Sequence, residues 1–199
     1  MNNAALLFDI GNVLVRFDFT VAAQRFAALS DASAEEVLAL LTPFKDDLES
    51  GRISDEDFMA QSIGRIRFHG TNGDFVRIWG DIFSENEPMI KLVRELSGKI
   101  PLYLLSNTSG LHKAWLFDKF DVFSLFHGGV YSHEARCMKP HEPIYRKAIT
   151  QFALEPSRTF YIDDLEANIV TGQRLGLQCH HYDPDQHERL ERELLAWLP

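Results

Sequence analysis

An apolar run that halts at a carboxylate opens the chain: Leu6-Leu7-Phe8-Asp9, followed by Ile10-Gly11-Asn12 and a second apolar triplet, Val13-Leu14-Val15. A run so short and continuous reads as a strand of about five residues buried on both faces, the habit of parallel sheets. Asp9 stands where that strand stops. Gly11 supplies unrestricted backbone for a tight turn and Asn12 tolerates the same geometry, so the aspartate is presented at the carboxyl edge of the sheet. Open α/β sheets bind ligands along that edge. A lone aspartate there is commonly no more than a turn cap. Three later runs nevertheless end in polar clusters in the same way: Leu102-Tyr103-Leu104-Leu105 into Ser106-Asn107-Thr108, Gly129-Val130-Tyr131 towards Lys139-Pro140, and Phe160-Tyr161-Ile162 into Asp163-Asp164. Sequential strands of one sheet would bring all four clusters to one end.

Between the first run and the second the chain is helical in character. Val21, Ala22, Arg25, Phe26 and Leu29 follow amphipathic spacing from Asp18, and Ser33-Ala34-Glu35-Glu36 is a capping box ahead of Val37-Leu38 and Leu40-Leu41. Pro43 is expected to break that helix. Ser54 with Asp57 opens another, with Phe58, Met59, Ile63 and Ile66 as its stripe, and a last segment runs from Asn72 through Trp79 and Phe83. The region from about 17 to 85 thus contains only helices, and strands alternate with helices again after it. The expected fold class is α/β: a doubly wound, Rossmann-like parallel sheet, from residues 1–16 and 86–199, with an all-helical cap, 17–85, inserted after the first strand. Linkers near Arg16-Phe17 and Ser84-Pro88 would form a hinge for closing over a substrate.

Asp9, the Ser106-Asn107 pair, Lys139 before Pro140, and Asp163-Asp164 with Asn168 resemble the four ordered motifs of the haloacid dehalogenase-like hydrolases. Phe-Asp-Ile-Gly-Asn-Val, Leu-Ser-Asn-Thr with His112 following, Gly51-Arg52-Ile53-Ser54-Asp55-Glu56 and Met138-Lys139-Pro140 are similar to the bacterial α-D-glucose-1-phosphate phosphatase subgroup. The resemblance implies a Mg2+-dependent phosphatase of a small phosphorylated metabolite, such as an aldose 1-phosphate, working through an aspartyl-phosphate on Asp9. It implies Asp9, Asp164 and the backbone carbonyl of Gly11 as metal ligands, with Asp163 as an auxiliary ligand or a partner that orients them. Ser106 and the amides of Asn107 and Thr108 would clamp the phosphoryl oxygens, and Lys139 would balance the charge of Asp9 and of the transition state. Two other readings share the scaffold: a 2-haloacid dehalogenase, which needs no metal, and a phosphometabolite-binding protein without turnover.

The sequence departs from the family's pattern at Gly11, where most phosphatases of this superfamily carry the acid that protonates the leaving oxygen. A positioned general acid contributes about 10² to 10⁴ in rate, so its loss implies a slow enzyme, a good leaving group or a replacement. Asp18, at the entry to the cap, is the first candidate for a substitute, and His112 the second. Asp18 reads equally well as a helix N-cap, and His112 as a helix-surface or hydrogen-bonded core residue. Arg52, in a turn before a cap helix, would reach down to substrate or else stay a solvated charge.

With 20 basic against 29 acidic residues, a formal charge of −9, the chain repels nucleic acid and anionic membranes at long range. No segment approaches the roughly 18 apolar residues of a membrane span. Two cysteines, Cys137 and Cys179, make no disulfide framework, and a cytoplasmic protein is expected. A monomer or weak homodimer is the expected assembly.

Overall fold

The structure is a computed structural model and describes residues 4–198. In chain order the elements are β1 Ala5–Phe8, β2 Val15–Phe17, α1 Phe19–Ala27, α2 Ala34–Glu49, α3 Asp55–Ile66, α4 Asn72–Gly80, β3 Phe83–Glu85 and α5 Glu87–Leu96. There follow β4 Leu102–Ser106, α6 Gly110–Lys119, β5 Gly129–Tyr131, the short α7 Ser132–Ala135, α8 Glu142–Gln151, β6 Thr159–Asp163, α9 Glu166–Arg174, β7 Gln178–His181 and α10 His187–Trp197. Five strands form a parallel sheet in the order β5-β4-β1-β6-β7.

The apolar run of β1 puts it at the centre, because only there are both faces of a strand covered. Successive side chains alternate between the two layers. Leu6 and Phe8 pack with Met89, Val93 and Leu96 of α5 and Leu190 and Leu194 of α10; Ala5 and Leu7 pack with Ile144, Tyr145 and Ala148 of α8 and Ile169 of α9. The sheet is therefore doubly wound, as the sequence predicts. Asp9 follows directly on the last residue of β1, and its amide donates to the Ile162 carbonyl of the neighbouring β6 (2.9 Å), which ties the turn that carries Asp9 to the sheet.

Helices α1 to α4 pack around a second apolar cluster that includes Ala22, Phe26, Val37, Leu41, Phe58, Phe75 and Trp79, forming the helical cap. Their ends are capped as predicted: Ser33 and Glu36 make a reciprocal box, and Ser54 accepts from the Asp57 amide. Two expectations fail. Pro43 lies inside α2 without ending it. Its ring removes one backbone bond, to the Ala39 carbonyl, and both residues lie on the exposed face, while Val37, Leu41 and Leu48 bury the other. The last cap helix stops at Gly80, and Phe83 belongs to a strand rather than to that helix. β2 and β3 pair antiparallel, Arg16 with Ser84 and Phe17 with Phe83, so the two crossings between core and cap are joined as a ribbon. Among the described residues, no helix is long and apolar enough to cross a membrane.

Candidate active site

The carboxyl edge brings together side chains that lie far apart in the sequence. Lys139 is buried, and its Nζ sits 2.8 Å from Asp9 Oδ1 and 2.6 Å from Asp163 Oδ2. Asp163 is itself saturated: Oδ2 also accepts from the Tyr161 hydroxyl, and Oδ1 accepts from Asn168 Nδ2 (2.8 Å) and the Leu165 amide (2.9 Å). Asn107 grips the backbone of Lys139 from both sides, Nδ2 donating to its carbonyl (3.0 Å) and Oδ1 accepting from its amide (2.8 Å). A lysine so held cannot swing away from Asp9.

Carboxylate oxygens of Asp9, Asp163 and Asp164 lie within 4.8 Å of one another. Burial and the negative charges of Asp163 and Asp164 lift Asp9 to about 7, against the opposing pull of Lys139. Burial would raise Asp163 too, but the charge and hydrogen bond of Lys139 prevail and hold it low. Asp164 is raised by burial and steadied by a bond from Asn12 Nδ2 (3.0 Å). One lysine in contact with such a group leaves negative charge uncompensated. These hard oxygens fit a divalent ion such as Mg2+.

A cavity of about 350 Å³ opens above these groups. Its floor is Asp9, Gly11, Asn12, Ser106, Asn107, Thr108, Lys139 and Asp164; its roof comes from the cap and the ribbon, with Phe17, Phe19, Lys45, Asp46, Glu49 and Phe83. A model of the haloacid dehalogenase-like hydrolases matches residues 4–176. The chain belongs to that family. D-ribitol-5-phosphate phosphatase of Bacteroides thetaiotaomicron is 26% identical over 208 residues, 97% of this chain and 97% of that protein. A family enzyme of the same organism, solved as a magnesium complex, superposes with a TM-score of 0.81 at 24% identity, over 96% of this chain and 100% of that one. A predicted HAD-like family hydrolase of Porphyromonas gingivalis gives 0.77 at 26% identity, covering 98% of each chain. L-2-haloacid dehalogenase of Xanthobacter autotrophicus gives 0.66 at 16% identity over 97% of this chain and 82% of that one, a likeness of fold alone.

The four family motifs thus converge, but the residues chosen to replace the missing acid do not all follow. Asp18 is exposed and outside the cavity lining; its carboxylate caps α1, accepting from the Thr20 amide (2.8 Å) and hydroxyl (2.7 Å), and those bonds lower its pKa. Of the two readings of Asp18, the structure shows the N-cap, and it places the carboxylate away from the cavity lining. Arg52 is likewise outside the lining, exposed and paired with Asp47 (2.6 Å). His112 does line the cavity, but burial drives its pKa down to about 4 and its Nε2 lies 3.1 Å from the Trp79 carbonyl, with the ring stacked on the Trp79 ring at 5.0 Å. A neutral imidazole bonded that way is a wall rather than an acid. The Thr108 amide, expected on the phosphate, donates to Ser132 Oγ (2.9 Å).

Lys45, Asp46 and Glu49, all on α2, are charged cavity residues that sequence reasoning missed. The i, i+4 spacing of Lys45 and Glu49 was visible, but it is also the spacing of an ordinary solvated ion pair. Only the direction in which α2 faces the sheet distinguishes the two.

Proposed function

We propose that this hydrolase is a phosphomonoesterase of small polyhydroxylated metabolites, with residues 17–85 acting as the cap over its site. The observation that carries the reading is the buried contact of Lys139 with both Asp9 and Asp163, beside Asp164, at the carboxyl edge of the sheet. Asp9 attacks phosphorus and forms an aspartyl-phosphate, since a carboxylate at a strand end is already an anionic nucleophile once its proton is displaced. Asp9, Asp164 and the Gly11 carbonyl would hold Mg2+, whose chemistry when bound is to neutralise the phosphoryl oxygens and so permit two anions to meet. Asp163, with every lone pair engaged, keeps Lys139 charged and in place. Lys139 balances the charge that develops on the transferring group. Ser106, buried at the end of β4, supplies a neutral hydroxyl for a phosphoryl oxygen, and the Asn107 amide lies beside it on the cavity floor.

The D-ribitol-5-phosphate phosphatase relative favours a polyhydroxylated leaving group, and does so without favouring the aldose 1-phosphate that the sequence resemblance implied. A cavity of about 350 Å³ suits a phosphoryl group carrying a small sugar or polyol. Phosphate release from a panel of aldose 1-phosphates, polyol phosphates and p-nitrophenyl phosphate, with Mg2+ and with chelator, tests the proposal. Metal-dependent release that Asp9→Asn abolishes is expected. Chloride release from 2-chloropropionate without metal would move the assignment to dehalogenation, and phosphate-ester binding with no release of either product would leave a binding protein.

A further inference from the structure

Resting on the phosphomonoesterase reading, we propose that Glu49, carried by the cap, protonates the leaving oxygen and then deprotonates the hydrolytic water, the two tasks that Gly11 leaves unfilled.

The position that normally carries the acid has no side chain here. A Cβ at residue 11 would meet the Phe17 ring at 3.0 Å, so a larger residue there would have to displace the ribbon's aromatic side chain. Apart from Asp9 and Asp164 on the floor, two carboxyl groups line the cavity, Asp46 and Glu49. Asp46 is exposed, whereas Glu49 lines the cavity while only 6% exposed. In-line displacement puts the leaving oxygen opposite the attacking one. With Asp9 on the floor, that direction is the cap.

Glu49 is also fixed in position. It is the last residue of α2, and its carbonyl accepts from Ser132 Oγ, while the same oxygen accepts from the Thr108 amide, so the end of the cap helix is docked on the turn that follows Ser106. Next to it, Gly51 lies so close to the core that a Cβ there would stand 2.3 Å from the His133 carbonyl oxygen. Lys45 Nζ lies 3.2 Å from Glu49 Oε1 and 3.3 Å from Oε2. Burial raises the Glu49 pKa and Asp46 adds to the rise, while Lys45 and, more weakly, Lys139 oppose it. The negative end of the α2 dipole favours the protonated form as well.

The steps balance. Asp9 Oδ bonds to phosphorus as the bond to the leaving oxygen breaks, and the Glu49 proton passes to that oxygen, releasing an alcohol. Water then attacks the aspartyl-phosphate; its proton returns to Glu49, the bond from Asp9 to phosphorus breaks, and inorganic phosphate departs with Asp9 restored. Lys45 stabilises the Glu49 carboxylate between the two half-reactions.

Leaving-group dependence tests this in the whole 199-residue chain with Mg2+. Glu49→Gln should lower kcat on a primary polyol phosphate by about 10² to 10⁴; on p-nitrophenyl phosphate it should scarcely slow the pre-steady-state burst of phenolate, which leaves without a proton, while steady-state turnover falls because the second half-reaction loses its base. The polyol pH profile should also lose its basic limb. Lys45→Gln retains the carboxyl and should move that limb to higher pH, because a neighbouring cation has been removed. A p-nitrophenolate burst slowed as much as polyol turnover, or an unmoved limb in Lys45→Gln, would overturn the assignment to Glu49 while leaving the phosphatase reading intact. No metal-dependent release from either ester by the unaltered protein would remove the phosphatase reading and the role of Glu49 together.

Discussion

Lys139 is a cation that two buried carboxylates share, at 2.8 Å from Asp9 and 2.6 Å from Asp163. Removing one partner of such a group leaves charge buried without a counter-ion, which costs about 3–5 kcal/mol. Lys139→Met should therefore abolish turnover and lower the urea midpoint, and the loss should be larger at pH 8 than at pH 5. The sign follows from the carboxylates. In the unaltered protein Asp163 is held below its usual range, so its stabilising share is present above that range and fades as the pH falls through it. Without the lysine both aspartates are better neutral, and the penalty grows as the pH rises past their ordinary values. A urea midpoint difference that does not vary with pH would contradict this. Asp9 and Asp163 were readable in the sequence because each ends an apolar run, a purely local signal, whereas Lys139 lies well beyond the end of β5 and was readable only from its resemblance to a family motif. What the sequence left unresolved was the role of Asp163, metal ligand or orienting partner, because that depends on the Tyr161, Leu165 and Asn168 groups that saturate it.

At the scale of elements, the cap is held to the core by contacts at helix ends. Asp55, at the start of α3, accepts from the amides of Gly110 and Leu111 at the start of α6, while burial raises its pKa. A Cβ on Gly110 would fall 2.1 Å from Asp55 Oδ2. Gly110→Ala must then push the carboxylate off the helix start, leaving amides without their acceptor at about 1–3 kcal/mol. The expected result is a lower melting temperature and a rise in KM that exceeds any fall in kcat, since the cap seats poorly while Asp9 and Lys139 are untouched. Unchanged melting and KM would show that Asp55 finds another seat at no cost. The four cap helices were legible from their caps and apolar stripes. The three-residue strands β2 and β3 were not, because so short a pairing has no periodicity, and Phe83 continued the apolar pattern of α4. Pro43 misled for a related reason: a proline's effect depends on whether the carbonyl it orphans faces water, which is a fact of packing.

Taken as a whole, the molecule carries a formal charge of −9 and yet reads as an enzyme for anionic substrates. The field must reverse within a few ångströms of the phosphoryl site, where screening is weak and contact charges dominate. Lys139 supplies part of that reversal. The three carboxylates within 4.8 Å of one another require more, and burial together with the charges of Asp163 and Asp164 pushes the pKa of Asp9 up to about 7 despite Lys139. A carboxyl raised from 3.8 to about 7 stabilises the metal-free fold fully below 3.8, and this contribution disappears as the pH climbs through 7. A divalent cation replaces the proton, so its binding must release one and must strengthen with pH. Saturating Mg2+ should accordingly raise the melting temperature little at pH 5 and most above pH 7, by a free energy on the order of a few kcal/mol. Asp9→Asn separates charge from fold: with chelator at pH 8 it should melt above the unaltered protein, because the uncompensated carboxylate is gone, and it should gain little from Mg2+. A Mg2+ effect of equal size at both pH values, or an Asn variant that melts below the unaltered protein in chelator, would mean that Asp9 is not the group that the cation relieves.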